Sequence, residues 1–279
     1  MLCFPNAKIN LGLNIISRRS DGYHNIETVF CPVGLSDILE FIIDTSHKDG
    51  HATFTGTGFP ADCSDVNNLC VKAYYLLSRD FRLPAVNIHL HKFIPSGAGL
   101  GGGSSDAAFM LRQLNILFEL GINEDRLCDY ASKLGSDCAF FIKNRPLLGY
   151  ERGNKFEEIP KLPESLHIAI VNPGIHVDTG TAYSFIQPRK PLHSLKECIG
   201  LPVSEWNDFI VNDFENGMIK KYPIIGSIKN RLYENGSLFA SMSGSGSSVY
   251  GLFKEEVPDV QAFFPESFYW SGEFYREDN

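Results

Sequence analysis

The sequence holds no run of lysine or arginine longer than two residues, and 33 acidic side chains outnumber 25 basic ones, for a formal net charge of −8. That argues against a nucleic-acid partner held by a basic face. No cysteine stands in C-x-x-C spacing. The seven present (Cys3, Cys31, Cys63, Cys70, Cys128, Cys138 and Cys198) are odd in number and scattered. That usage argues against a disulfide framework or a zinc site and fits a reducing cytoplasm. The first residues, Met-Leu-Cys-Phe-Pro-Asn-Ala-Lys, lack a basic stretch followed by an apolar one, so no signal peptide is expected. No uncharged apolar run approaches the length of a membrane span. Internal repeats and low-complexity tracts are also missing. The length of 279 residues suits two modest domains or one large one.

Against these absences one stretch stands out. Residues 95–108 read Pro-Ser-Gly-Ala-Gly-Leu-Gly-Gly-Gly-Ser-Ser-Asp-Ala-Ala, with Gly97, Gly99, Gly101, Gly102 and Gly103 inside seven positions. An apolar pattern of helical period follows, through Ala107, Ala108, Met110, Leu111, Leu114, Leu117 and Phe118. Glycine permits positive φ and close approach of a ligand to the main chain. A glycine-rich turn feeding a helix N-terminus is a ready anion site, which points to a nucleotide phosphate cradle. A plain strand-to-helix turn needs far fewer glycines. Gly97 to Gly102 does satisfy G-x-G-x-x-G, but a dinucleotide fingerprint needs strand, turn, helix, strand. Here a strand over 86–93 precedes, a helix runs to Leu120, and a second helical pattern over 123–134 stands where the next strand should be. No Gly-Lys-Ser/Thr follows, so the Walker-A loop fails as well.

Periodicity places strands at 7–16, 26–33, 38–43, 52–57, 86–93, 138–142, 147–150, 167–171, 238–242, 247–253 and 267–275. Helices are expected over 68–81 and 224–234. The polar stretch over 152–163 is the expected boundary between halves. Strands and helices interleave without a strict βαβ repeat, which predicts an α+β protein of two layered halves.

Three further segments accompany the glycine stretch: Ala7-Lys8-Ile9-Asn10-Leu11 with the turn Arg18-Arg19-Ser20-Asp21-Gly22-Tyr23-His24; Leu134-Gly135-Ser136-Asp137; and Ser243-Gly244-Ser245-Gly246-Ser247-Ser248. Together with Gly99-Leu-Gly-Gly-Gly-Ser-Ser-Asp-Ala-Ala108 they resemble the GHMP family of small-molecule kinases, from Ala7 to about Phe253. The resemblance departs at Cys138-Ala139, where the family usually has Val-Pro, and this puts only the local backbone after Asp137 in doubt. Asn212-Asp213-Phe214-Glu215 also looks like a family element and is read as the start of a helix.

The resemblance implies a two-domain α+β GHMP kinase fold, with an ATP-binding domain over 1–155 and a second domain over 156–279. It implies transfer of the ATP γ-phosphoryl group, with Mg²⁺, to a hydroxyl of a cytidine-diphosphate-linked methylerythritol. Pro95, Ser96, Gly97, Ala98, Gly99, Leu100, Gly101, Gly102, Gly103, Ser104 and Ser105 would wrap the ATP phosphates, with the helix N-terminus from Ser104 aimed at them. The Ser104 and Ser105 hydroxyls could instead hold Mg²⁺, and no carboxylate for the metal is readable. Asn67 and Lys92 would contact the adenine side. Asp137 would accept or orient the proton of the attacking hydroxyl, and Lys8 would neutralise developing charge; taken singly, they read as a turn cap and a solvated strand lysine. Asn10 would reach substrate or phosphate, and Tyr23, His24 and Tyr183 would recognise the cytosine end. Gly244 to Gly246 would either close on the substrate or brace the phosphate loop, though a plain glycine hairpin reads equally well. The rivals are another GHMP kinase acting on homoserine or mevalonate, a dinucleotide-dependent oxidoreductase and a non-catalytic nucleotide-binding module.

Overall fold

A computed structural model describes residues 1–59, 67–162, 166–258 and 260–274. Cys63, Pro163 at the end of the expected boundary stretch and Tyr275 at the end of the last expected strand lie outside the described residues. In chain order the first elements are β1 (Leu2–Cys3), β2 (Asn6–Arg18), β3 (His24–Ser36), β4 (Ile38–Ile43), β5 (Ala52–Gly58), α1 (Leu69–Ser78) and β6 (Val86–Lys92). Then follow α2 (Gly102–Leu117), α3 (Glu124–Ser132), α4 (Cys138–Lys143), β7 (Leu147–Glu151), β8 (Lys155–Glu158) and β9 (His167–Asn172). The chain continues with α5 (Thr179–Tyr183), α6 (Leu195–Cys198), α7 (Trp206–Phe209), α8 (Glu215–Lys221), α9 (Pro223–Glu234), β10 (Phe239–Met242), β11 (Val249–Phe253) and β12 (Phe268–Glu273). The architecture is α+β.

Two compact units form, and neither is one continuous stretch. The first takes Met1–Ala7, Leu35–Ser96 and Gly101–Arg145; the second takes Lys8–Gly34, Gly97–Leu100 and Pro146–Asn279. The sequence reading expects a single division near residue 155. At that place the chain turns from β7 into β8, which pair antiparallel with Leu147 opposite Glu158.

In the first unit the sheet runs β1-β4-β6-β5. β5 and β6 are parallel, so the chain must cross over between them, and α1 lies on that crossover. Asn68 caps α1 by accepting from the Cys70 N–H. Along β6 the residues Val86, Ile88, Leu90 and Lys92 are buried while Asn87, His89 and His91 are half-buried. Period-two alternation thus carries the lysine to the apolar face. On α2 the buried side chains Ala107, Ala108, Met110, Leu111 and Leu114 follow the helical spacing of a core-facing stripe.

One expected element has the wrong type. Residues 138–142 are expected as a strand and form the helix α4, with all of Cys138 to Ile142 buried. A short, wholly apolar run carries no period that separates strand from helix. Asn144, at φ 48°, ends α4 in the left-handed region.

The second unit holds two four-stranded sheets, β2-β3-β7-β8 and β10-β11-β9-β12. Its core joins Leu13 and Ile15 of β2 to Val171, Phe214, Ile228, Leu232 and Val249 among others. β2 is covered on both faces: Ile9, Leu11, Leu13 and Ile15 are buried, and so are Lys8, Asn10 and Asn14.

Candidate active site

The glycine stretch divides between the units, Gly97–Leu100 belonging to the second and the residues from Gly101 to the first. Gly97, Gly99 and Gly101 have φ of 61°, 77° and 72°, the left-handed region that an L side chain enters only under strain. Between them Ala98 and Leu100 are buried anchors. A Cβ on Gly99 would lie 2.1 Å from the Ser243 carbonyl oxygen, so at this position only glycine fits. Leu100 O accepts from Lys8 N at 3.0 Å, and Ala98 O accepts from Ser248 N at 3.2 Å. Ser243 Oγ donates to Gly99 O at 2.8 Å. The Ser243–Ser248 turn therefore braces this half of the loop.

Lys8 and Asn10 occupy the same buried network. Lys8 Nζ donates to Asn10 Oδ1 at 2.6 Å and to Gly99 O at 3.0 Å. Asn10 Nδ2 donates to Thr28 Oγ1 at 2.9 Å, and that hydroxyl donates to Gly12 O at 2.6 Å. Tyr250 OH donates to Asn10 O at 2.9 Å. Lys8 is only 3% exposed, which replaces the solvated strand lysine that the residue alone suggests. Sequence reasoning missed Thr28 and read Asn212 only as the start of a helix. Asn212 Nδ2 donates to Met242 O at 2.7 Å and to Gly244 O at 2.8 Å, while its Oδ1 accepts from Phe214 N at 3.0 Å. The Asn212-Asp213 pair before a helix was the available signal; nothing in the sequence marks Thr28.

In the first unit α2 starts at Gly102, two residues earlier than expected, after Gly101 at its N-cap with no side chain capping it. Its first-turn N–H groups have no intrahelical partners. Gly103 is exposed and Ser104 half-buried. Ser105 is fully enclosed, and its Oγ has no hydrogen-bond partner among the described residues.

Lys92 lies in a buried ion cluster. Its side chain is 5% exposed and is held by Asp37 and, at 2.8 Å, by Asp106 Oδ2. Burial works against the charged lysine, but Asp106 and Asp37 beside it outweigh that and raise its pKa above the ordinary value. Burial pushes the Asp106 carboxyl up to about 7, against the pull of Lys92. Two carboxylates on one buried ammonium are one negative charge too many, and a proton on Asp106 relieves that excess.

Asp137 is half-buried at the N-cap position of α4, yet its side chain makes no capping bond, so the simple cap reading is not realised. Lys8 belongs to the second unit and Asp137 to the first. Asn67 is exposed, directly before the α1 cap.

The turn between β2 and β3 carries Tyr23 and His24. Tyr23 is 53% exposed, with the Arg152 guanidinium 3.6 Å from its ring centroid. His24 stacks on Tyr183, centroids 4.5 Å apart and planes 16° from parallel. Burial first, and Arg18 second, lower the His24 pKa. The structure thus brings His24 together with Tyr183.

As to a metal, no group of three His, Cys, Asp or Glu side chains able to hold an ion occurs among the described residues. Among the described residues none form a protein cage for Mg²⁺. Among the described residues no helix is long and apolar enough to cross a membrane. The six described cysteines form no disulfide.

Comparison with known proteins agrees with this arrangement. The GHMP kinases N terminal domain family model matches residues 68–145, and the GHMP kinases C terminal model matches residues 198–269. A 4-diphosphocytidyl-2-C-methyl-D-erythritol kinase of Parabacteroides distasonis is 47% identical over 274 residues, covering 98% of this chain and 99% of that protein. The enzyme of the same name from Bacteroides thetaiotaomicron is 51% identical over 256 residues, covering 92% and 93%. A crystal structure of 4-(cytidine 5'-diphospho)-2C-methyl-D-erythritol kinase superposes with a TM-score of 0.77 at 30% identity, covering 98% of both chains. The mevalonate kinase of Methanococcus jannaschii, at 12% identity and a TM-score of 0.70 over 99% of this chain and 98% of that one, shares the fold. A dinucleotide-dependent oxidoreductase built on Gly97 to Gly102 is excluded by these matches and by α3, which stands where such a fold needs a strand.

Proposed function

The chain belongs to the GHMP kinases, and on that premise we propose that it transfers the γ-phosphoryl group of ATP to a hydroxyl of 4-diphosphocytidyl-2-C-methyl-D-erythritol, a step of non-mevalonate isoprenoid biosynthesis. The observation that carries this reading is the buried contact of the Lys8 ammonium with Gly99 O in the glycine loop. It sets a fixed positive charge against a left-handed backbone cradle, which is the equipment phosphoryl transfer requires.

In this reading the backbone of Pro95 to Ser104 wraps the ATP phosphates, using the uncapped first turn of α2. Lys8, oriented by Asn10, neutralises charge on the transferring group. Asp137 orients the acceptor hydroxyl and takes its proton as the new P–O bond forms and the bond to ADP breaks. A loose transition state places more demand on alignment and charge than on proton removal. Mg²⁺ brought with ATP would supply charge neutralisation, with the Ser104 hydroxyl as its candidate protein ligand. Asn67 and Lys92 border the adenine side. Tyr23, His24 and Tyr183 hold the cytosine, an aromatic and imidazole set that an acceptor without a base does not need. This favours the cytidylylated acceptor over homoserine or mevalonate. The six described cysteines, all unpaired, support a cytoplasmic setting.

A coupled ADP-release assay offering the cytidylylated methylerythritol, homoserine and mevalonate in parallel tests the reading. Turnover is expected with the first alone. Turnover with either of the others, or with none, overturns it.

A further inference from the structure

We propose that Asp37, Lys92 and Asp106 act as a positioning triad that fixes the two flanks of the glycine loop and so sets the backbone amides presented to ATP. The inference rests on the phosphate-loop reading above. On the upstream flank Asp37 Oδ1 accepts from Phe93 N at 2.6 Å and from Ile94 N at 2.8 Å, immediately before Pro95. Its other oxygen accepts from Lys92 Nζ. On the downstream flank the same ammonium donates to Asp106 Oδ2 at 2.8 Å, on the second turn of α2. One lysine thereby ties the end of β6 to the start of α2. It runs directly beneath the loop's exit, since a Cβ on Gly102 would lie 3.1 Å from Lys92 Nζ.

The three side chains are at most 5% exposed. Asp106 Oδ1 is buried without a partner. A buried ion cluster with an excess carboxylate and an unsatisfied oxygen is a poor stabiliser, since apolar side chains of similar volume usually do as well or better. What charged groups supply and apolar ones do not is direction. Each bond here ends on a backbone amide or on the first turns of the helix that the phosphates would meet.

The experiment uses the full chain and reads equilibrium binding of a non-hydrolysable ATP analogue, with steady-state KM for each substrate alongside. Asp106→Ala is expected to weaken analogue binding by about tenfold, the loss of one charge-assisted hydrogen bond, while the acceptor KM stays within about twofold. Asp106→Asn, which still accepts from Lys92, is expected to bind the analogue nearly as the parent does. Lys92→Met and Asp106→Leu, combined with Asp37→Asn so that no buried carboxylate is left without its ammonium, should keep the parent's melting temperature and still bind the analogue weakly. If that apolar pair restores analogue binding, or if Asp106→Ala binds as the parent does, the triad is merely structural and the proposal is overturned. A parent protein that binds no analogue at all would instead refute the phosphate-loop reading.

Discussion

His24 and Tyr183 lie face to face at 4.5 Å, one from the first residue of β3 and the other from the last residue of α5. Tyr183 meets Phe214 edge-on at 4.9 Å and 88°, so its ring plane is set by the core of the second unit. Burial and Arg18 lower the His24 pKa, which favours the neutral imidazole at neutral pH. A neutral ring can stack and still hydrogen-bond the edge of a pyrimidine. His24→Ala and Tyr183→Ala are each expected to raise the acceptor KM about tenfold, within the 1–3 kcal/mol per base that stacking contributes. The ATP KM should stay where it is. Steady-state titration of each substrate checks this, and parallel rises in both constants would remove the base-recognition role.

Gly99 and Gly97 share a left-handed backbone but differ in what stands beside them. A methyl group on Gly99 would meet the Ser243 carbonyl at 2.1 Å, whereas on Gly97 it would meet the His176 imidazole at 2.3 Å. A backbone carbonyl in a braced turn does not yield, but an exposed histidine ring can rotate away. Gly99→Ala should therefore cost ~3 kcal/mol or more, and Gly97→Ala only the ~1–2 kcal/mol of the backbone conformation itself. Urea unfolding of the two variants measures the difference; equal losses would mean the Ser243 turn is free to move.

Much of this fold can be read from residue periods, and its failures share a physical origin. Strand β4 over 38–43 and helix α9 over 223–234 follow from alternation and helical spacing, with boundaries within a residue of those expected. Residues 138–142 defeat that reading because Cys-Ala-Phe-Phe-Ile is apolar at every position. Lys92 misleads differently: its charge suggests solvent, while its parity with Val86, Ile88 and Leu90 assigns it to the interior. The deciding fact is the placement of Asp37 and Asp106 near it, which is tertiary and has no local signature. Lys8 and Asn10 are similar, since β2 alternates like a half-exposed strand yet is covered on both faces. The glycine loop was the most legible part, because three left-handed residues in five can be built only from glycine.

The Asp106 carboxyl, pushed up to about 7 by burial, gives a pH dependence of known sign. Unfolded, the group titrates near 4. Between about pH 4 and about pH 7 the folded protein keeps a proton that the unfolded chain has lost, so this group's contribution to stability falls as pH rises through that window. Asp106→Asn removes the titration. Urea unfolding from pH 4.5 to 7.5 should show the parent losing ground steadily to the Asn variant, with the gap constant above about pH 7. Parallel curves across the whole range would show that Asp106 is already ionised at acid pH in the folded state.

Lys8 and Asp137 belong to different units of the chain, and if the catalytic assignment is right their removal should leave nucleotide binding largely intact. The loop that would hold ATP is shaped by its own left-handed glycines and by the Ser243–Ser248 turn. Lys8 does touch the loop through Gly99 O, but that oxygen also accepts from Ser243 Oγ, so the carbonyl keeps a donor when the lysine is gone. The penalty should therefore fall on the chemical step. Lys8→Ala and Asp137→Asn are each expected to lower kcat by about 10²–10³-fold, the range for deleting a charge-stabilising or proton-accepting group. The dissociation constant of a non-hydrolysable ATP analogue should change less than about fivefold, because the loss is confined to the transition state. Single-turnover rates and analogue titrations on the same preparations separate the two effects. Near-parental turnover in both variants would falsify the assignment, whereas loss of analogue binding in Lys8→Ala alone would make that lysine a loop-shaping residue.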